Sequence, residues 1–505
     1  MQESKQFAFI GISCAYSDSS GRVTTECSGL ADKESNTPVD ETTVFPACSI
    51  SKFITALCVM KACEQDLIHI DAPVNNYLSR WKLRTSDGSE SDASIRSLLY
   101  HAAGIIDGED GFYGLRRTDP VISLTDILDG KTAYNNRPAR TEKAQGTEFE
   151  YSDAGYCILQ MLIEDVTQNS FEAFAAENLF APLGLRSTFF ASPKNLETYE
   201  KKYVLATGYD ENGMPVPGKY PQVPDLAASG LWSTPKELLI LAQEFYKAYN
   251  GKSSLLKESS AREMAKPAEK FSWTGLGVFM GSEHEIQSRG WGENGQCMLR
   301  INYVTGESAV VMTNQNPGVD QAASGIEDLA AHRAATRKRL ASVAKTMAQT
   351  PFHGFAEGEG SNLEPIVTPF PGWTLEEADG LWCAAFVYFC CTKAGFDIPI
   401  RPGECKTCHL AGCIAWEEFA LGDPRIEYHA REDAFVPEAG DIVLYDHVFD
   451  DHEHDHIGII IEKIENSLLV AEGNVSNRSG IIERPIDEHV RGYIRIPDRY
   501  QYRKD

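Results

Sequence analysis

The chain has 505 residues, with 47 Lys and Arg against 73 Asp and Glu, a formal net charge of −26. That balance excludes the broad basic footprint a phosphate-backbone partner needs, so no nucleic acid is expected. The length and a hydrophobic share of 42% suit roughly two to four globular domains with full cores.

The first residues, MQESKQF, have neither a basic segment nor a long apolar one, so no secretory leader is expected. The longest apolar run, residues 381–391, is too short to span a bilayer, so no membrane partner is expected either. These features predict a cytoplasmic protein. Its thirteen cysteines, an odd number, are then expected to be mostly reduced thiols.

In chain order, two strand-like runs at 7–16 and 22–30 flank the turn signal Asp18-Ser-Ser-Gly21 and predict a hairpin. Helical segments follow from Ser51, and strand-like runs return at 275–280, 298–304 and 309–313. Strands at both ends of a helical middle predict an α+β domain whose termini share one sheet. Residues 325–349 read as a helix. The Gly-, Pro- and acid-rich stretch 350–372 reads as a linker, with acidic residues such as Glu357 and Glu359 as solvated spacers. After it come a helix over 375–394 and strands at 441–445, 457–462, 467–472 and 492–496. The expected organisation is a first domain over 1–349, a linker over 350–372 and a second domain over 373–505, with no internal repeat at a fixed period.

The first chemical constellation is Ser49-Ile-Ser-Lys52, followed by Phe53, Leu57 and Met60 on one predicted helix face. Three residues along a helix is nearly one turn, which sets Ser49 beside Lys52. A desolvated lysine can serve as base for a serine nucleophile, and the helix N-terminus favours the negative charge that develops. The backbone N–H of Ser49 is a candidate oxyanion donor. Taken alone, the pattern is weak and reads first as a helix-capping serine with a solvated lysine. The wider context is Tyr151-Ser-Asp153 about a hundred residues on, and Arg289-Gly290-Trp291-Gly292 between strand-like runs.

With Gly29-Leu-Ala-Asp32, Ile68-His-Ile-Asp-Ala-Pro-Val74, Leu98-Leu-Tyr-His-Ala-Ala-Gly104, Ala181-Pro-Leu-Gly-Leu185 and Gly230-Leu-Trp-Ser-Thr-Pro235, these motifs resemble the serine β-lactamase and penicillin-binding-protein superfamily. The nearest branch is that of class C enzymes, D-aminopeptidases and esterases, over residues 5–345. The resemblance implies an antiparallel sheet with a helical subdomain. It makes Ser49 the acylated nucleophile, Lys52 its base or proton shuttle, and Tyr151 the relay to the leaving group. Asp153 stands where the family usually has Asn, and Arg289-Gly290-Trp291 stands where it has a Lys-Thr-Gly or His-x-Gly strand. Backbone near Trp291 or Gly292 would give the second oxyanion donor. Asp153 should favour a protonated Lys52 and leave more of the base role to Tyr151. Arg289 could fork onto a substrate carboxylate, or simply be a solvated strand residue. Peptide or ester substrates fit these departures better than efficient penicillin hydrolysis.

The second constellation is Trp382-Cys383-Ala-Ala-Phe386 at the start of an apolar helix, with His456-Ile-Gly-Ile459 and Glu472-Gly-Asn474 on later strands. A cysteine at a helix start has a depressed pKa, and a histidine near in space can serve it as base. Together with Pro437-Glu-Ala-Gly-Asp-Ile-Val-Leu444, this half resembles the CHAP family of cysteine, histidine-dependent amidohydrolases and peptidases, a papain-like α+β fold, over residues 373–498. The resemblance implies Cys383 as nucleophile and His456 as base. The third member would be Glu472, slightly preferred, or Asn474.

Cys405-x-x-Cys408-His409 with Cys413, and the histidines His447, His452 and His454, have spacings that could bind a metal. Partly buried thiols and a solvated loop serve as well, and neither a metal nor a cofactor is expected. The expected protein is thus a bifunctional acyl-enzyme hydrolase of peptide amide bonds, including those of D-residue or cell-wall-derived peptides. The alternatives are carboxylesterase activity in the serine domain, or one domain serving as a degenerate recognition module.

Overall fold

The turn signal at Asp18 closes a hairpin. Strands β1 (Gly11–Ser17) and β2 (Val23–Asp32) pair antiparallel, and the Gly21 N–H reaches the Asp18 carbonyl at 2.9 Å with φ of 83°. The computed structural model describes residues 9–19, 21–109, 111–193, 195–281, 284–331, 337–349, 352–355, 360–449, 451–498 and 500–502. The first two residues of the expected strand 7–16 therefore lie outside it.

The remaining strands of the first sheet are β3 (Thr37–Pro38), β4 (Thr274–Gly275), β5 (Val278–Met280), β6 (Glu285–Gly292), β7 (Gly295–Asn302) and β8 (Ser308–Thr313). They run antiparallel in the order β3-β2-β1-β8-β7-β6-β5-β4. The β1–β8 ladder joins the two ends of this part of the chain in one sheet. Helix α1 (Ser51–Glu64) was expected to bury one face through Phe53, Leu57 and Met60. Instead every residue from Ser51 to Met60 is buried, because α2 (Asp153–Thr167) and the short helix Leu226–Ser229 pack around it. A helix buried on every side needs partners on every side. Helix α3 (Pro235–Tyr249), capped by Thr234, packs on β1, β7 and β8.

The chain divides into two compact units, Met1–His332 and Arg333–Asp505. The expected helix over 325–349 is two helices, Ile326–Ala331 and α4 (Arg337–Gln349); residues 332–336 between them are outside the described residues. Leu340, Ala344 and Ala348 of α4 belong to the core of the second unit, so the boundary falls before 349. The expected linker is corrected too. Phe352, Leu363, Ile366, Val367 and Phe370 are buried in that same core, and residues 350, 351 and 356–359, with Glu357 and Glu359, lie outside the described residues. Gly and Pro in this stretch punctuate a packed segment.

In the second unit the expected helix over 375–394 is also split. A short helix, Leu375–Ala378, ends at Asp379 and Gly380 (φ 71°), and α5 (Cys383–Lys393) begins afresh. Strands β9 (Glu427–Ala430), β10 (Ile442–Tyr445), β11 (His456–Ile464), β12 (Ser467–Val475), β13 (Arg478–Pro485) and β14 (Val490–Arg495) form an antiparallel sheet in the order β9-β14-β10-β11-β12-β13. Helix α5 packs on β11 and β12. Strands β9 and β13 and helix α6 (Cys413–Gly422) were not foreseen.

Candidate active sites

Ser49 lies on a single 3-10 turn, Cys48–Ile50, that runs directly into α1. The segment before it is pinned: Phe45 and Pro46 pair with the strand Leu231–Ser233, and the Ala47 N–H bonds the Leu231 carbonyl at 2.8 Å. The Ser51 hydroxyl donates to the Cys48 carbonyl at 2.6 Å, while Cys48 itself holds φ of 46°. One turn on, the Lys52 ammonium donates to Ser49 Oγ at 3.2 Å, to Asp153 Oδ1 at 2.5 Å and to the Ala228 carbonyl at 3.0 Å. Its nitrogen is 4.8 Å from the centre of the Tyr151 ring, and Tyr151 faces both Lys52 and Ser49. Burial works against the charge on Lys52, but the Asp153 carboxylate and Tyr151 outweigh it and hold the ammonium well above its ordinary range.

Several residues of this site were not singled out from the sequence. The Asp107 carboxylate accepts from the Ser152 hydroxyl at 2.7 Å and the Asp153 N–H at 2.6 Å, so it fixes the start of α2. Withdrawal from water and the neighbouring Asp153 raise it to about 6. Asp225, fully buried and bonded by the Tyr134 hydroxyl at 2.6 Å, rises to about 7 for the same two reasons. His101 stacks on Tyr151 with ring centres 4.3 Å apart and accepts the Ser152 N–H at 3.0 Å; burial keeps it neutral. Of these, only His101 falls in a quoted motif.

Strand β6 borders Ser49. A Cβ built on Gly290 would stand 2.6 Å from the Ala47 carbonyl oxygen and 3.1 Å from Cys48 Cβ, so only glycine lets the strand come this close. Gln321 donates to the Gly290 carbonyl at 3.0 Å. Trp291 is 42% exposed, its indole N–H bonded to Asn316 at 2.8 Å. A cleft of about 260 Å³ opens over Ser49, lined among others by Tyr113, Tyr151, Asp153, Arg289, Trp291 and Gly292. Arg289 lines it with its charge already matched by Glu327 at 2.5 Å, so a substrate carboxylate would have to exchange with Glu327.

In the second unit, Cys383 is the first residue of α5, and His456 the first of β11. Imidazole Nε2–H of His456 donates to Glu472 Oε2 at 2.9 Å. Glu472 is fully buried and gripped on its other side by Arg484, at 2.9 Å from Nε and 2.7 Å from Nη2. His456 Nδ1 is buried and has no hydrogen-bond partner, and Cys383 is close enough to favour the charged imidazole. The Cys413 sulfur lies 3.6 Å from that of Cys383. Its thiol, then His456 and the Ala384 N–H, stabilise a Cys383 thiolate against burial and bring it down to about 5. Burial opposes an imidazolium, yet Cys383 and Glu472 raise His456 to about 9. The pair is therefore a thiolate and an imidazolium between those limits.

Asn474 is not brought to His456. It holds φ of 63°, and its side-chain amide donates to the Gly380 carbonyl at 2.7 Å. Asn477 donates to Asp379 at 2.7 Å and accepts from the Gly380 N–H at 3.2 Å and the Trp382 indole at 3.0 Å. These contacts pin the break that makes Cys383 a helix start.

Cys405 donates to the Ala415 carbonyl at 3.3 Å, and Cys413 sits with Cys383, so the expected cysteine spacing does not close on itself. His454 bonds Glu417 at 2.7 Å, and Arg491 holds the same carboxylate. Among the described residues, no three His, Cys, Asp or Glu side chains converge as a metal site would need. All thirteen cysteines are free, and no described helix is long and apolar enough to cross a membrane.

An antiparallel sheet, a helical subdomain and a Ser–Lys pair facing a Tyr define the first unit as a β-lactamase-like α+β fold. The family model described as Beta-lactamase matches residues 2–332, and the chain belongs to that family. The esterase EstB of Burkholderia gladioli is 30% identical over 168 residues, 32% of this chain and 43% of EstB, so the chain spans under half of that relative. The D-amino acid amidase of Ochrobactrum anthropi SV3 has a TM-score of 0.52 at 21% identity, over 63% of this chain and 91% of the amidase. A penicillin binding protein from Bacillus halodurans has 0.50 at 19%, over 63% and 95%. At these identities both structures bear on fold alone.

Proposed function

We propose that the chain is a two-site acyl-enzyme hydrolase of peptide amide bonds, including those of D-residue or cell-wall-derived peptides. What supports the serine half most directly is the Lys52 ammonium between Ser49 Oγ and Asp153. Ser49 attacks the acyl carbon and its proton passes to neutral Lys52, while Tyr151 carries a proton to the leaving group. The Ser49 N–H and the backbone near Trp291 or Gly292 receive the oxyanion. Because Asp153 keeps Lys52 charged at rest, the reaction accelerates as pH rises.

In the second unit we assign a CHAP-type cysteine amidase site, with Cys383 as nucleophile, His456 as base and acid, and Glu472 orienting the imidazole. The buried His456–Glu472 hydrogen bond and the lowered Cys383 thiol support it. A reducing, cytoplasmic setting suits a free thiolate among thirteen unpaired cysteines.

A second reading, carboxylester hydrolysis at Ser49, is favoured by the likeness to EstB. Comparing D-aminoacyl amides with short acyl esters separates the two; fast ester turnover without amide turnover selects the esterase. Intact-mass measurement tests both nucleophiles. A fluorophosphonate or β-lactam adduct should vanish in Ser49→Ala, and the first iodoacetamide adduct in Cys383→Ala. An adduct that survives its own substitution overturns that nucleophile assignment, and a unit that takes no adduct in the unsubstituted chain is a recognition module.

A further inference from the structure

Thirteen free thiols are spread through this chain, and two of them meet where the second site does its chemistry. The sulfurs of Cys383 and Cys413 are 3.6 Å apart. Each is the first residue of its helix, α5 or α6, so both lie in the positive end of a helix field. Each keeps a sliver of exposure, 6% and 8%. The hydrolase chemistry uses Cys383 as nucleophile and Cys413 only as a donor to its thiolate, which leaves the second sulfur's own reactivity unused.

We propose that Cys413 is the resolving thiol of Cys383, and that the pair closes a reversible disulfide when Cys383 is oxidised by a hydroperoxide. This rests on reading Cys383 as the reactive thiol of its site. The Cys383 thiolate attacks one peroxide oxygen; the S–O bond forms and the O–O bond breaks. The sulfur loses two electrons to the peroxide, giving Cys383 sulfenic acid, and the departing oxygen takes a proton and leaves as water or alcohol. The Cys413 sulfur then attacks Cys383; the S–S bond forms, the S–OH bond breaks, and hydroxide leaves with the Cys413 proton as water. A dithiol reductant returns both thiols as it becomes a disulfide itself.

Three observations favour this course. The sulfurs need to close only from 3.6 Å to the roughly 2.0 Å of a disulfide bond. The Cys413 thiol is held well above its ordinary value chiefly by donating to the Cys383 thiolate, then by burial. Oxidation of Cys383 removes that thiolate, so the brake on Cys413 lifts when its nucleophilicity is wanted. Elsewhere burial is what pushes the Cys390, Cys391 and Cys58 thiols well up, and Cys405 up to about 12, whereas for Cys413 the thiolate partner comes first.

The test treats the full chain with a small excess of hydrogen peroxide, blocks remaining thiols and maps peptides by mass without reduction. A Cys383–Cys413 cross-link, lighter by two hydrogens and reversed by dithiothreitol, is the expected product. In Cys413→Ser, a dimedone adduct on Cys383 should rise by about tenfold, with sulfinic acid following. Cys413→Ala serves if the serine variant is poorly folded, and the wild-type time course gives the order of events without any variant. Persistent Cys383 sulfenic acid in the wild type, or a cross-link to Cys405 or Cys408 instead, overturns the proposal. The map needs no substrate: a disulfide without amide turnover defeats the amidase reading alone, and amide turnover without a disulfide defeats this one alone.

Discussion

Asp153 holds Lys52 charged, and on the reading proposed above this one departure from the family pattern raises the pH at which Ser49 reacts. Replacing Asp153 by Asn removes the carboxylate 2.5 Å from the ammonium, and Lys52 should lose its proton at lower pH. The rising limb of kcat/KM for Ser49 turnover is expected to move down by about one pH unit or more, read from a pH–rate profile. The cysteine site has the reverse logic. Cys383 is lowered and His456 raised, so the reactive pair exists above about 5 and is lost as pH climbs through about 9. In Glu472→Gln the imidazolium loses its counter-charge, and the thiolate its full partner. Iodoacetamide alkylation of Cys383 near pH 6 should slow by about tenfold and recover at higher pH. An unchanged alkylation profile would remove Glu472 from the site.

Strand β6 and the break before α5 show what sequence can and cannot carry. Ser49 and Lys52 were legible because their relation is local, a single turn of helix. Asp107 and Asp225 were not, because isolated carboxylates in irregular segments acquire a role only when folding brings Asp153 beside them. The choice between Glu472 and Asn474 was open for a physical reason. Two residues apart on a regular strand, they share a face. The register shift between Glu472 and Val475, and the left-handed backbone at Asn474, turn the second away. Similarly, apolar residues at 340, 344 and 348 announce a helix face without saying which core it joins. For β6 the closeness of Gly290 to the Ser49 turn yields its own expectation. Gly290→Ala would push the strand from Ala47, and fluorophosphonate labelling of Ser49 should fall by about a hundredfold.

At the scale of the whole chain, each unit holds its own core and, on the reading proposed above, its own nucleophile. Unfolding is therefore expected to be more than two-state. Arg484→Ala leaves the buried Glu472 short of its fork. It should cost about 3 kcal/mol in the transition of the second unit and leave that of the first in place, as followed by urea denaturation with Ser49 labelling as the first unit's reporter. A shift in both transitions would show that the units unfold as one. The interruption at Gly380 has a consequence of its own. In an unbroken helix from Leu375 onward, Cys383 would sit among amides already spent on the turn before. The gap leaves the Ala384 amide unspent and free to stabilise the sulfur, so a chemical property of one atom is made by a break of four residues, 379–382. Asn474, whose amide bonds the Gly380 carbonyl, is with Asn477 a latch on that gap.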